Sequence, residues 1–369
     1  MRIHDKPYRT IWLARDGWSV EIIDQTKLPH EFEIATLRSM EDAAHAILTM
    51  QVRGAPLIGA TAAYGLCLAV RQDPSDAAID AAVKFLSAQR PTAINLKWAL
   101  ELMRGVLHDV PKDKRVETAY ARAATLCDDD VETNRKIGEN GLGLIRDVHE
   151  MNEGARVNIL THCNAGWLAC VDWGTATSPI YQAYDAGIDV HVWVDETRPR
   201  NQGAALTAYE LGAHGIPHTI IVDNAGGHLM REGQVDLCFV GTDRTASNGD
   251  VCNKIGTYLK ALAAVDNNVP FYVTLPFSTI DWSIKSGAEI PIEERGAEEV
   301  LEMRGRDGDG TIREVSIAAP GSPAGNFAFD VTPARLVTGL VTERGIAEAS
   351  TEGLKNLYPE LARHEANHD

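Results

Sequence analysis

Apolar and polar positions change their rhythm at about residue 150. In the first 35 residues short apolar patches at 10–13 and 20–23 alternate with polar positions and end on Asp24-Gln25-Thr26-Lys27-Leu28-Pro29, which predicts a small β element. From Leu37 to about Asp147 the spacing is helical: Ala43, Ile47 and Met50, then an alanine-rich run at 59–70, then 77–85, 96–107 and 115–126. The polar segment 151–156, with Gly154, ends this pattern. Short apolar runs rich in β-branched residues then recur at 157–161, 190–194, 219–222, 237–240 and 271–275, with helical segments between them, clearest at 175–186 and 201–211. Strands alternating with helices predict a parallel sheet covered on both faces. The expected fold class is therefore α/β, with a mainly helical N-terminal domain and its small β element in 1–150 and a Rossmann-like parallel sheet domain in 151–369. Late in the chain, 289–310 is charged and glycine-rich and reads as a surface excursion, 336–347 and 351–361 read as closing helices, and 364–369 as a frayed end.

Within the second half, one stretch stands out. The apolar run 235–240 predicts a buried strand, a polar loop with Gly241 and Gly249 follows, and a helical pattern is expected from near Asp250 through Ile255, Leu259 and Leu262. Ligands sit at the carboxyl ends of strands in open α/β sheets, where loops splay apart and the next helix points its positive end at them. Asp243 is expected in that crevice, with Asn253 and Lys254 in the first turn of the helix behind it.

Composition narrows the function. The chain has 369 residues, 44% hydrophobic and 24% charged, which suits a globular fold without staples. A net charge of -17 disfavours a nucleic-acid surface but allows a local basic pocket for a small anion. Six scattered cysteines with no CxxC pair read as reduced thiols, the first twelve residues lack an export segment, and no apolar run is long enough for a membrane span. A cytoplasmic setting is expected.

Four loops carry candidate chemistry. In Thr161-His162-Cys163-Asn164-Ala165-Gly166 a cysteine at a strand end, beside a helix N-terminus, is either a thiol of lowered pKa able to act as nucleophile or acid/base, or a buried structural thiol. His162, with no spaced partner, reads as a hydrogen-bonding or packing histidine. Asp243 is an acid/base candidate or a helix cap. Arg53-Gly54-Ala55-Pro56 before an apolar helix is a phosphate cradle or an ordinary turn with Pro56 at the first helical position, and Arg90-Pro91-Thr92 offers a second guanidinium. The polar run from Glu196 to Gly203 again follows a strand. Gly141-Leu142-Gly143 fails as a dinucleotide fingerprint because Arg146 stands where glycine or alanine is needed. There is no P-loop, Asp307-Gly308-Asp309-Gly310-Thr311 lacks calcium-loop spacing, and nothing has zinc spacing.

Taken together, Arg53-Gly54-Ala55-Pro56, Asn95-Leu96, the 161–166 and 196–203 motifs, Gly241-Thr242-Asp243-Arg244, Asn253-Lys254-Ile255-Gly256-Thr257 and Phe329-Asp330-Val331-Thr332-Pro333 resemble the S-methyl-5-thioribose-1-phosphate isomerase family, in family order over nearly the whole chain. That family shares its fold with regulatory subunits of the translation initiation factor 2 exchange factor and with ribose-1,5-bisphosphate isomerase. The resemblance implies aldose-to-ketose isomerisation of methylthioribose 1-phosphate in methionine salvage, with Cys163 and Asp243 as the catalytic pair. It implies Arg53, Gly54, Ala55, Arg90, Gln202, Asn253 and Lys254 as substrate contacts, no metal or organic cofactor, and a homodimer. 5-Deoxyribose 1-phosphate is a further expected substrate; ribose 1,5-bisphosphate isomerisation and a non-catalytic regulatory role are the rival readings. Phe327 stands where the family often has proline, and the 302–325 segment is longer and richer in glycine than the family pattern.

Overall fold

A computed structural model describes residues 1–3, 6–90 and 93–362, of 361 and 362 the backbone only. Pro91, Thr92 and the 364–369 tail lie outside the described residues. The chain opens on a short hairpin, β1 (Arg2–Ile3) and β2 (Lys6–Pro7), and a three-stranded antiparallel sheet of β3 (Ile11–Leu13), β4 (Val20–Ile23) and β5 (Ile34–Leu37). Helices follow: α1 (Met40–Leu48), α2 (Ala55–Gln72), α3 (Asp76–Ser87), α4 (Ile94–His108) and the 37-residue α5 (Arg115–Met151). Ser39 and Asp42 close a capping box on α1, and the Ser75 hydroxyl caps α3. The alanine-rich α2 is apolar nearly all round because α1, α3, α4 and α5 all pack on it. The first half of α5 joins this helical core through Ala119, Ala123 and Leu126; its second half joins the sheet core through Ile137, Leu142 and Ile145.

The remainder comprises β6 (Val157–Thr161), α6 (Ser178–Asp185), β7 (Val190–Asp195), α7 (Ala208–His214), β8 (His218–Ile221), α8 (Ala225–Arg231), β9 (Leu237–Val240), β10 (Arg244–Ala246), β11 (Val251–Lys254), α9 (Thr257–Asp266), β12 (Phe271–Thr274), β13 (Ile280–Asp281), α10 (Glu298–Leu301), β14 (Glu302–Arg306), β15 (Ile312–Ser316), β16 (Phe329–Thr332), β17 (Gly339–Thr342), β18 (Gly345–Ala347), α11 (Thr351–Leu357) and α12 (Pro359–Ala362). The main sheet has the order β18-β17-β12-β9-β6-β7-β8 and is parallel except for β18. Leu237, Cys238, Phe239 and Val240 are all fully buried, as a strand covered on both faces requires. A smaller sheet, β13-β10-β11-β16, stands beside it. Among the described residues no helix is long and apolar enough to cross a membrane.

The expected helix from Asp250 is corrected. Residues 244–254 form the β10–β11 hairpin, and Asn253 and Lys254 end β11, opposite Asp330 and Phe329 of β16. The helix starts only at Thr257, because Gly256, at φ 102, turns the chain through a conformation closed to other residues. The expected closing helix at 336–347 is likewise a strand pair, β17 and β18, whose β-branched Val341, Thr342 and Ile346 suit an extended chain. The charged 289–310 excursion contributes β14 to an antiparallel hairpin with β15, mostly exposed. The helix read at 201–211 begins as a π turn over Gly203–Thr207 before α7.

Candidate active site

The loops after β6, β7 and β9, at the carboxyl ends of the parallel strands, face the start of α2. Cys163 leaves β6 at φ 66, a left-handed conformation that costs a non-glycine residue energy and needs support from its surroundings. Two threonines supply it: the Cys163 amide donates to Thr197 Oγ1 at 2.8 Å, and Thr207 Oγ1 donates to the Cys163 carbonyl at 2.7 Å. Arg53 reaches the same loop, donating from Nη1 to Asn164 Oδ1 at 2.6 Å and from Nη2 to the Asn164 carbonyl at 2.9 Å. Gly54, at φ 87, lets the backbone there press against Ala169, an atom of which would lie 2.5 Å from any added Cβ.

Arg53, Gly54, Ala55, Cys163, Asp243 and Asn253 line one cavity of about 30 Å³, and Ala55, Arg90 and Asp243 line a second of similar volume beside it. Asp243 therefore stands between the two. Gln202 lies farther out, sharing with Arg53 the wall of a cleft of about 440 Å³ roofed by Met303, Arg304 and Gly305. Lys254 is buried, its ammonium 4.8 Å from the centre of the Phe329 ring. Burial pulls the Lys254 ammonium down from its ordinary range, and the neighbouring Cys163 and Asp243 side chains oppose this. Burial also pulls Arg90 down, against Asp243 and Glu293. Among the described residues, Arg90 Nη1 and Gln202 Oε1 are buried without a hydrogen-bond partner. Three cationic side chains, Arg53, Arg90 and Lys254, thus lie near a thiol and a carboxylate, in a protein of net charge -17.

Of the two readings of Cys163, the one with a lowered thiol pKa does not hold. Burial pushes it up, with Arg53 and Lys254 pulling the other way. The physical reason is burial, and the helix expected directly after the loop is absent: only a 3-10 turn, Trp167–Ala169, intervenes before α6 at Ser178. His162 is the hydrogen-bonded histidine the sequence suggests, with Nδ1 2.9 Å from Asp195 Oδ2 and Nε2 2.8 Å from the Ile255 carbonyl. His162, Asp195 and Asp223 cluster closely enough to hold a metal ion. Lys260 already supplies a cation there, with Nζ 3.2 Å from Asp195 Oδ2 and a hydrogen bond to the Asp223 carbonyl. Sequence reasoning missed Thr197, Thr207, Asn164 and the buried Glu210, which accepts the Trp167 and Leu168 amides at 3.2 and 3.0 Å. Thr197 and Asn164 lay inside motifs already singled out; Thr207 and Glu210 carried no signal.

The Initiation factor 2 subunit family matches residues 51–349. The methylthioribose-1-phosphate isomerase of Paramagnetospirillum magneticum is 64% identical over 363 residues, covering 98% of this chain and 100% of that protein. Among solved structures, 5-methylthioribose 1-phosphate isomerase from Pyrococcus horikoshii OT3 superposes with a TM-score of 0.81 at 39% identity, covering 96% of each chain. A structure described as translation initiation factor eIF-2B subunit delta from A. fulgidus gives 0.79 at 37% identity, covering 96% of this chain and 100% of that one. With the crevice at the strand ends and these matches spanning almost its full length, the chain belongs to the Initiation factor 2 subunit family, among its methylthioribose-1-phosphate isomerase members.

Proposed function

We propose that the chain isomerises methylthioribose 1-phosphate to methylthioribulose 1-phosphate, an aldose-to-ketose conversion, using Asp243 and Cys163. The observation that carries this reading is that the thiol and the carboxylate line one cavity with Arg53, while Arg90 and Lys254 lie close enough to interact with Asp243. A regulatory protein that only senses a sugar phosphate has no use for the acid/base pair. Two of the relatives named above, from Paramagnetospirillum magneticum and Pyrococcus horikoshii, carry the name of isomerases of this substrate, which supports the same reading.

The substrate's phosphate on the anomeric oxygen prevents ring opening to a free aldehyde, so the ring C–O bond must break under acid assistance. Asp243 gives a proton to the ring oxygen and that bond breaks, leaving C1 electron-poor. Burial keeps Cys163 protonated, and the negative charge of a bound phosphate acts in the same direction, so no thiolate is ready to remove hydrogen from C2. With a thiol rather than a thiolate beside the substrate, transfer of the C2 hydrogen with its electron pair to C1 is the favoured route. The 2-hydroxyl proton passes to Cys163 as the thiol hands its own to the Asp243 carboxylate, which restores both groups and leaves a carbonyl at C2. Arg53, Arg90, Lys254 and the backbone at Gly54 and Ala55 hold the phosphate, while Gln202 and Asn253 orient the sugar hydroxyls.

The test is ketose formation from methylthioribose 1-phosphate, with 5-deoxyribose 1-phosphate and ribose 1,5-bisphosphate run alongside. Turnover of the first is expected, with no solvent deuterium entering C1 in D₂O. Cys163→Ser and Asp243→Asn should each lower kcat by about 10²- to 10⁴-fold with the melting temperature unchanged. Deuterium at C1 would remove the hydride route, and normal turnover in either variant would remove that residue. Binding without turnover of any substrate would instead support the regulatory reading.

A further inference from the structure

His162 touches neither of the small cavities, yet it lies between the two backbone segments that carry the proposed chemistry. It directly precedes Cys163, and its Nε2 donates to the carbonyl of Ile255, the residue after Lys254. Its Nδ1 meets Asp195 at the end of β7. Both ring nitrogens thus face oxygen atoms, and an apolar side chain of similar size can reproduce neither contact. The imidazole is fully buried. The other charged groups around it are Lys260, with Nζ 3.2 Å from Asp195; Asp223, with Oδ1 4.0 Å from Nδ1; and Asp330, which accepts the Gly256 and Tyr258 amides at 2.7 and 3.1 Å. Gly256 lies flat against the ring: an added Cβ there would be 3.1 Å from two of its atoms.

We infer that His162 is a positioning residue, which through Asp195 on one side and Ile255 on the other fixes the Cys163 loop and the Lys254 strand end relative to each other. A buried side chain that spends both its polar atoms on two different loops transmits a displacement of either loop to the other. Asp195 takes both His162 and Lys260 on the same oxygen, Oδ2, and Lys260 in turn holds the Asp223 backbone, so the β7 end cannot drift independently. Asp223 closes the circuit by accepting the amides of Thr197 and Arg198, both at 2.7 Å, and Thr197 is the residue that supports the Cys163 amide.

The inference rests on the isomerase reading only for its kinetic readout. His162→Leu removes both hydrogen bonds; His162→Gln keeps a donor able to reach the Ile255 carbonyl. His162→Leu should lower kcat by about 10- to 100-fold, the cost of slight misplacement of reacting groups. KM should change by less than about threefold, since no substrate contact is lost. His162→Gln should recover part of kcat. Independently of turnover, hydrogen exchange by mass spectrometry should show the backbone amides of 161–165 and 253–257 losing protection together in the Leu variant and less so in the Gln variant. Loss of protection in only one segment, unchanged exchange in both, or equal kcat loss in the two variants would overturn the proposal. If wild-type protein turns over no sugar phosphate, the isomerase reading fails and the exchange result alone decides on His162. If the Leu variant does not fold, the Gln variant against wild type carries the same comparison, with partial loss of protection in both segments expected.

Discussion

Arg53 grips Asn164 with both arms of its guanidinium, one on the side-chain oxygen at 2.6 Å and one on the backbone carbonyl at 2.9 Å. The start of α2 is thereby tied to the residue beside Cys163, so one side chain supplies charge to the proposed phosphate site and shape to the thiol's loop. An ammonium cannot reproduce that fork. Arg53→Ala should lower kcat/KM by about 10²-fold or more, and Arg53→Lys should regain less than about a tenth of the loss, because charge returns without geometry. Steady-state kinetics on the two variants decide this; a lysine variant close to wild type would reduce Arg53 to a point charge.

Gly54 offers a test of the cradle itself. With φ at 87 and Ala169 backbone atoms 2.5 Å from where a Cβ would be, alanine here is opposed twice, by its own conformation and by a backbone neighbour that cannot rotate away. Gly54→Ala should lose at least about 2 kcal/mol of unfolding free energy in a denaturant titration, together with affinity for inorganic phosphate. An unchanged midpoint would mean that the α2 entry yields more easily than its packing suggests.

Glu210 predicts a pH dependence of stability. Burial pushes its carboxyl up to about 7, against the pull of the Leu168 amide. The folded protein therefore holds this proton more tightly than the unfolded chain, whose glutamate titrates near the ordinary value of about 4.3. The stability contributed by the group is full below that value and is lost as pH rises through about 7. Glu210→Gln removes this loss, so the variant's stability relative to wild type should improve between about pH 5 and pH 8, by up to about 3 kcal/mol. Thermal melts of both proteins across that range check it. A constant difference would show that Glu210 titrates normally.

Much of this was legible in the sequence because the relevant patterns are local. The alternation of 157–275 announced a parallel sheet, and the motif-bearing loops fell at its strand ends as that topology demands. Lys254 and Asn253 were misplaced onto a helix for a reason visible in β11: all four of its residues are buried, so the polar pair shows no alternation, while Ile255, four residues before Leu259, extends the stripe of α9 backwards. The helix read over 336–347 had a similar origin, since Leu336 and Leu340 are four apart but belong to a turn and to β17. The direction of the Cys163 shift was not legible because it depends on what lies behind the thiol in space. Thr207 and Glu210 come from a π turn and a helix more than forty residues downstream of the loop they support, at hydrogen-bond separations of 44 residues for Thr207 and 43 and 42 for Glu210.

The raised, buried thiol at the centre of the site bears on how such an enzyme ages. Peroxide attacks the thiolate, and cysteines tuned for nucleophilic work are for that reason the first to be oxidised. Cys163 is instead kept as a thiol by burial, and the other five cysteines are buried as well. A thiol used to pass protons rather than to form bonds needs no such tuning. With Cys163 in the proposed role, the site would hold a sulfur with little exposure to the oxidative damage that limits the lifetime of thiolate enzymes.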